Sequence, residues 1–205
     1  MFGTLVTAFI KKLMMKIVCI SSSFIPSTAA NSIQVVKATH ALAELGHEVT
    51  LLVPGQESMS WDELKSFFGV THFFDIQWIP ENLTFKRYDF AFKAVQKAIK
   101  MKPDLVYTWV LQAGVFSLWR KMPTIYEMHD RVTGRFGPGL FRMFLKFATR
   151  SRIVAITDAL RKIIISDYHL HPDRTDIVIA PDGVDLERYQ NLPSPAEARK
   201  SLGLN

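Results

Sequence analysis

Residues 152–189 read RIVAITDALRKIIISDYHLHPDRTDIVIAPDGVDLERY, and this stretch decides the fold. Residues 152–157 form a short run of apolar and β-branched side chains, which is typical of a strand buried in a parallel sheet. Apolar residues at helical spacing follow, and residues 176–180 form a second short strand that ends at the turn residues 181–183. A strand, a helix and a strand in this order predict a right-handed parallel crossover unit.

The same alternation extends back along the chain to residue 16. It predicts strands at 16–21, 48–54, 73–79, 104–109 and 123–128. It predicts helices between them at 31–45, 61–69, 85–101, 111–120 and 140–150. The sequence therefore predicts an α/β fold, a doubly wound, Rossmann-like parallel sheet of about seven strands.

The sequence also predicts where the first helix begins and which face of the third helix is buried. Asn31 stands where a capping side chain belongs, and Gln34 follows at the spacing of a capping box, so the first helix is predicted to begin at Asn31. In the third helix, Phe92, Val95 and Ile99 recur at helical spacing, and we expect all three to face the core.

Length, net charge and cysteine content restrict the domain count, the partners and the location that the chain can have. The chain has 205 residues, enough for one domain with a proper core or for one domain and a tail. Its 25 Lys and Arg against 19 Asp and Glu leave a net charge of +6. This charge either favours an anionic partner or only improves solubility, and both interpretations stay open. Because Cys19 is the single cysteine, an intrachain disulfide is impossible, and a reducing, cytoplasmic location is predicted.

The two ends of the chain differ from its middle. In residues 1–14 two lysines follow an apolar run instead of preceding it, which is unlike a signal peptide, and the run is too short for a membrane span. We interpret residues 1–14 as an N-terminal extension or as a start set too early, and the alternative is a weak membrane-surface anchor. At the other end, Ser194, Pro195 and Glu197 predict the start of a further helix.

Two motifs carry a resemblance to a known family. The stretches IVAITDALRKIII (153–165) and IVIAPDGVDLERY (177–189) resemble the close of the N-terminal domain in retaining glycosyltransferases of the GT-B fold, of the family 4 type. The family has Asn where this sequence has Asp182. The resemblance implies that residues 15–185 are the acceptor-side domain. It also implies that residues 186–205 are an interdomain linker and the start of a C-terminal domain that the sequence does not contain.

The resemblance also implies a reaction. Such enzymes move a sugar from a nucleotide sugar to a glycan, lipid or small-molecule acceptor with retention of configuration. They hold the donor mainly on the C-terminal domain, so this chain is expected to be inactive without a donor-binding domain or subunit. No metal ion is expected, and no cofactor apart from the nucleotide-sugar co-substrate.

The pair His129-Asp130 is the main candidate for chemistry. Ligands of open parallel sheets bind beyond the carboxyl ends of the strands, and this pair follows the strand predicted at 123–128. Asp130 is expected to hold the tautomer of the imidazole or to raise its basicity. The segment YEMHD resembles the strand-end His-Asp that the family places against donor sugar and acceptor, so His129 and Asp130 are predicted to be catalytic. Without the resemblance, a lone histidine here would more often be structural.

Other loops at the same edge supply candidate substrate contacts. The loop before the first helix ends in free N–H groups that suit a phosphate or a sugar hydroxyl, which singles out Ser27, Ala30 and Asn31. Family members often have Gly-Gly where this sequence has Ala29-Ala30. Further substrate contacts are predicted at Arg131, Thr157, Asp182 and Gly183.

The helix predicted at 140–150 is basic and amphipathic. Arg142, Lys146 and Arg150 are expected on one side of it and apolar side chains on the other. Its apolar side is expected to cover the sheet, and the alternative is peripheral docking on anionic lipids at the inner membrane surface.

Several other classes are excluded by missing motifs. The loop after the first strand reads SSSFIPSTAAN (21–31) and lacks the glycines of a dinucleotide-binding fingerprint. Walker, GxSxG and HxxxH motifs are absent from the sequence, and its lysines lack the interleaved aromatic residues of a nucleic-acid site. Two alternatives to the transferase remain: a non-catalytic binding module or split-enzyme subunit that needs a separate donor-binding partner, and half of a sugar-nucleotide epimerase.

Overall fold

A computed structural model describes residues 14–80, 88–147, 149–173, 176–184, 190 and 192–204. The strands are β1 Lys16–Ile20, β2 Glu48–Pro54, β3 Asp75–Ile79, β4 Leu105–Thr108, β5 Thr124–Met128, β6 Ser151–Ala155 and β7 Ile177–Ile179. The helices are α1 Ala30–Glu44, α2 Trp61–Phe68, α3 Tyr88–Met101, α4 Leu111–Trp119, α5 Gly137–Leu145, α6 Asp158–Tyr168 and α7 Pro195–Ser201.

All seven strands join one parallel sheet in the order β3-β2-β1-β4-β5-β6-β7. The chain therefore moves from β1 towards one edge and then returns past β1 to build the other half. This reversal confirms the predicted doubly wound fold. In such sheets the loops that leave the two strands at the reversal diverge and open a crevice, here between β1 and β4.

The two faces of the sheet carry separate cores. Ile17 and Cys19 of β1 pack on α1 and α2, while the alternate residues Val18 and Ile20 pack on α3 and α4. A third cluster lies between β5, β6 and the helices α4, α5 and α6. The buried, near-continuous apolar strands follow from this two-sided cover, because a parallel sheet with helices on both faces leaves no solvated side.

Two predicted helix details are wrong. Helix α1 begins at Ala30 behind the extended residue Ala29, and no side chain caps it, so Asn31 lies inside the helix instead of at its cap. The Phe92 side chain on α3 is 55% exposed. The buried face of α3 is built mainly from alanine, whose small side chain lets the helix approach the sheet closely and turns Phe92 outward.

The predicted basic helix is shorter than expected. Helix α5 ends at Leu145, with Lys146 at its C-cap, and Arg150 lies beyond it, so the three predicted basic residues do not line one helical face. The capping box predicted at Ser194 is present, and Glu197 completes it at the start of α7. The interpretation of residues 1–14 falls almost wholly outside the described residues and, like the domain boundaries, stays a prediction. Within the described ranges, we find no helix long and apolar enough to cross a bilayer.

Phe144 is the centre of the third core cluster. Its side chain is fully buried and lies in ring contact with Tyr126 and Phe141, with centroids 5.6 Å and 6.3 Å away. A Cβ atom at Gly114 of α4 would lie 3.1 Å from the Phe144 ring, so the absence of a side chain there lets α4 and α5 meet. Helix α5, and with it the loop that leaves β5, therefore depends on this ring.

We expect Phe144→Ala to lower the free energy of unfolding by about 3–5 kcal/mol, because it removes a buried ring and leaves a cavity. Urea unfolding followed by circular dichroism measures this loss. Phe136→Ala is the matched control, because Phe136 is 64% exposed at the start of the same helix, and it should cost about 0.5 kcal/mol or less. Equal losses in the two variants would contradict this account of the core.

Candidate active site

A buried carboxylate lies at the carboxyl edge of the sheet. Glu127 on β5 is only 7% exposed, and its Oε1 lies 2.5 Å from Nε2 of His129. The hydroxyl group of Tyr107, on the adjacent strand β4, donates a hydrogen bond to the other oxygen, Oε2. Because side chains two residues apart on a strand share a face, β5 places Glu127 and His129 on the side where α1 packs.

The contact shifts the pKa values of both groups. Burial opposes the charged form of Glu127, but hydrogen bonds from His129 and Tyr107 outweigh it and hold the pKa of the carboxyl below its ordinary value. The hydrogen bond to Glu127 raises the pKa of His129, against the smaller opposing effect of burial. Burial, with the carboxylate beside it, raises the pKa of Tyr107, so this residue stays a neutral donor.

The pH range of this stabilisation follows from the two directions. A lowered carboxyl pKa in the folded state contributes stability above the ordinary Glu pKa of about 4.3, and this contribution is lost as the pH falls through the lowered value. A raised imidazole pKa contributes stability below about 6.5, and this contribution is lost as the pH rises through the raised value. The pair is therefore fully stabilising between about pH 4.3 and 6.5.

Trp109 lies beside this pair. Its ring is 5.0 Å from that of Tyr107, and its indole N–H is buried without a well-formed hydrogen bond to a described residue. The N–H is nevertheless close enough to Glu127 to help lower the pKa of the carboxyl. The Trp109 N–H is therefore a further donor beside the Glu127 carboxylate.

Two cavities meet at Glu127. The larger, of about 520 Å³, lies between the loops that leave β1, β4 and β5, and its wall includes Ser23, Trp109 and His129. The smaller, of about 310 Å³, lies between α1 and the loop after β7, and its wall includes Tyr107 and Asp182. Glu127 lines both, so its carboxylate separates the two spaces.

The structure brings most of the predicted site residues to this edge. Four of them line the larger cavity: Asn31, His129, Asp130 and Arg131. Two line the smaller one: Asp182 and Gly183. Three line neither cavity: Ser27, Ala30 and Thr157. Ser27 accepts a hydrogen bond from the N–H of Ala29, and Thr157 accepts one from the N–H of Leu160 as the cap of α6.

Asp130 and Arg131 have local partners. The sequence predicts that Asp130 orients the His129 imidazole, but in the structure Glu127 makes this contact. Asp130 instead accepts a hydrogen bond from the N–H of Arg131 at 2.7 Å. Arg131 donates two side-chain hydrogen bonds to Asp167 on α6, at 2.6 Å and 2.7 Å. This bidentate pair holds the loop after β5 against α6.

Three of these groups have the donor atoms of a metal site. Ligand atoms of Glu127, His129 and Asp182 all lie within 4.8 Å of one another. Zinc binds such atoms at about 2.0–2.2 Å in a tetrahedron, which sets two ligands about 3.4 Å apart. The 2.5 Å between Nε2 and Oε1 is shorter than that and is a hydrogen-bond distance. A metal ion would have to displace the proton that the two groups share, and the expectation of a metal-free site stays a prediction.

From the sequence, Glu127 is interpreted as a structural residue and its aromatic partners are not identified, whereas the structure places all of them at the site. A charged residue inside the otherwise buried strand TIYEM was the available signal, because a buried carboxylate requires hydrogen-bond donors. Its spacing of two residues from His129 predicts a shared face. Tyr107 and Trp109 could not be found in this way, because only the pairing of β4 with β5 places them beside Glu127.

Comparisons with known proteins agree with this architecture. Residues 32–188 match the model of the family described as Glycosyltransferase Family 4. No curated protein sequence matches the chain. One similar solved structure is Anabaena HepE in complex with UDP and glucose, with 17% identity and a TM-score of 0.60. The match covers 92% of this chain and 50% of that chain. Another is a glycosyltransferase from Rickettsia africae, with 15% identity, a TM-score of 0.63, and coverage of 93% and 49%.

A UDP-N-acetylglucosamine 2-epimerase from Rickettsia bellii is also similar, with 16% identity, a TM-score of 0.57, and coverage of 94% of this chain and 52% of that chain. At these identities the likeness concerns the fold alone. The chain spans about half the length of each of these structures. Because the family match extends from α1 to beyond β7, the chain belongs to Glycosyltransferase Family 4, and its doubly wound sheet is the N-terminal, Rossmann-like half of a GT-B fold.

Proposed function

We propose that this chain is the acceptor-side domain of a retaining glycosyltransferase, which moves a sugar from a nucleotide sugar to an acceptor when a donor-binding domain or subunit completes the site. The observation that carries the proposal is the His129 imidazole, which lines a cavity of about 520 Å³ and whose pKa is raised by its hydrogen bond to the buried carboxylate of Glu127. This volume lies within the usual range for small-molecule sites, about 300–1,000 Å³.

His129 has a defined role in this proposal. Transfer from a nucleotide sugar breaks the bond between the anomeric carbon and the diphosphate, so negative charge develops on the departing oxygen. A preorganised positive group next to that oxygen stabilises the transition state more than the ground state. With Nε2 engaged by Glu127, the second ring nitrogen, Nδ1, makes no recorded hydrogen bond to a described residue and is left for the substrate.

Glu127 acts here as a positioning residue. Its carboxylate is buried and already accepts hydrogen bonds from His129 and Tyr107, which makes it a poor nucleophile towards an anomeric carbon. The N–H groups at the start of α1 supply donors for sugar hydroxyls or phosphate oxygens near the same cavity. Asn31, on the first turn of α1, adds a side-chain amide.

We expect His129→Ala to lower sugar transfer by about 10²–10⁴-fold, because it removes the positive group and its hydrogen bond. The assay uses the chain together with its donor-binding domain or subunit, and a radiolabelled nucleotide sugar. His171→Ala is the control, because His171 is exposed in the loop after α6, far in sequence from the β5 edge, and transfer should not change. Transfer that survives His129→Ala at the control rate would overturn the assignment.

The same reaction mixture tests the chemistry. Proton NMR of the product gives the anomeric configuration, which should match that of the donor. Conversion of the nucleotide sugar to an epimer without acceptor would instead support the epimerase alternative. The absence of both products, with a partner protein bound to the chain, would support a non-catalytic binding module.

We expect Glu127→Gln to shift the pH dependence of the site. The amide removes the negative charge that raises the His129 pKa, so the imidazole should lose its proton at a lower pH than in the wild-type chain. The histidine ring signals, followed by NMR during a pH titration, measure this directly on the 205-residue chain. The alkaline limb of kcat/KM should move to lower pH in parallel.

Asp182→Asn is the comparison variant, because Asp182 lies 3.9 Å from the same Nε2 and is a weaker cause of the raised pKa. Its effect on the His129 titration should have the same direction and be smaller. An unchanged His129 titration in Glu127→Gln would show that the carboxylate does not set the charge of the imidazole.

A further inference from the structure

Aromatic side chains lie exposed on the outer surface of α3 and α4. Phe92 and Trp119 are 55% and 52% exposed. Phe116 lies between them, with its ring centroid 6.3 Å from that of Phe92 and 5.7 Å from that of Trp119. The three rings therefore form one continuous surface across two helices.

This surface continues onto α5 through an apolar cavity of about 510 Å³. The cavity wall is formed by Tyr88, Arg135, Phe136, Gly139, Leu140 and Met143. Tyr88 lies one helical turn before Phe92 on α3, which joins the cavity to the three rings. We call the whole surface the aromatic band, and its members are Tyr88, Phe92, Phe116, Trp119, Phe136, Leu140 and Met143.

The segment that builds the aromatic band carries the net charge of the chain. Residues 88–146 hold ten Lys and Arg against four Asp and Glu, an excess equal to the +6 of all 205 residues, so the rest of the chain is neutral. Arg120, Arg142 and Lys146 are exposed on the same helices or their ends. The Arg135 guanidinium lies 5.6 Å from the centroid of the Phe136 ring.

Two of the four acidic groups of this segment face partners other than its basic side chains, since Asp104 accepts a hydrogen bond from the N–H of Lys16 and Glu127 lies among the active-site groups. Glu127 is buried in the active site. Asp89, at the start of α3, pairs with Lys93 at 3.5 Å. The outer surface of α3, α4 and α5 thus combines exposed aromatic rings with an excess of basic over acidic side chains.

We propose that the aromatic band docks on an anionic lipid bilayer. Phe92, Trp119 and Phe136 enter the boundary between headgroups and acyl chains, where aromatic rings are favoured, and the basic side chains meet anionic headgroups. Nucleic acid would match the charge but would leave the apolar cavity exposed, because the bases of a duplex are stacked inside. The proposal goes beyond the sugar-transfer proposal and does not depend on it.

The docking face borders the active site. Gly137, at the start of α5, lines the larger site cavity, and Gly139, two residues later, lines the apolar cavity of the aromatic band. A bilayer on the aromatic band therefore lies next to the opening near His129. An acceptor whose lipid anchor stays in the membrane could present its sugar or phosphate group at that opening.

The test is flotation of the purified 205-residue chain with vesicles. We expect binding to vesicles of phosphatidylglycerol and phosphatidylcholine in about equal amounts, and about tenfold weaker binding to phosphatidylcholine alone. Binding should weaken as salt is raised, because the charges are exposed. The double variant Trp119→Ser, Phe136→Ser should lower the partition coefficient at least about tenfold, and Lys146→Glu about fivefold or more.

Phe73→Ser is the matched control. Phe73 is 68% exposed and packs on Trp61 of α2, on the opposite side of the sheet, so its loss should leave vesicle binding unchanged. Circular dichroism confirms that each variant is folded, and the single surface variant Lys146→Glu keeps the test decisive if the double variant is destabilised.

Three results would overturn the proposal. The first is no difference between anionic and neutral vesicles. The second is an equal loss of binding in Phe73→Ser and in the double variant. The third is binding of a DNA or RNA duplex, or self-association of the chain, that is lost in the double variant while the vesicles remain unbound.

Discussion

The parallel pairing of β1 with strands on both of its sides is the constraint on which the rest of the structure depends. β1 binds β2 on one side and β4 on the other, and its last three residues are fully buried. Since the chain leaves β1 towards one edge and must return to build the other, helices come to cover both faces. The loops after β1 and β4 then separate, and the larger cavity is the space between them.

The chemistry of the site depends on one carboxylate at the carboxyl edge of the sheet, that of Glu127. A buried Glu127 would be costly if it lacked donors, and two adjacent strands supply them: Tyr107 lies on β4, and His129 directly follows the last residue of β5. The hydrogen bond to the carboxylate in return raises the pKa of the imidazole and fixes its ring. A positive group held in place before substrate arrives needs no rearrangement when charge develops, which is how such groups stabilise a transition state.

The sequence was sufficient for the architecture because hydrophobic periodicity reports which faces of a strand or helix are buried. The doubly wound topology and the strand-end position of His129 were predicted in this way and are confirmed. The start of α1 was not predicted correctly, because the N-cap residue Ala29 has no capping side chain that the sequence could show. The aromatic partners of Glu127 were also beyond reach, because contacts between strands depend on register, which no local pattern records.

Because Glu127 lines both cavities, ligand binding in one is expected to affect ligand binding in the other. A ligand in the larger cavity that binds the imidazole of His129 also changes the interaction of this ring with Glu127. The same carboxylate forms a wall of the smaller cavity beside Asp182. Any change in charge that occupancy of one space imposes on this carboxylate alters the binding free energy in the other. Thermodynamic linkage requires the effect to be equal in both directions. Binding in one cavity is therefore expected to be coupled to binding in the other through the single carboxylate of Glu127.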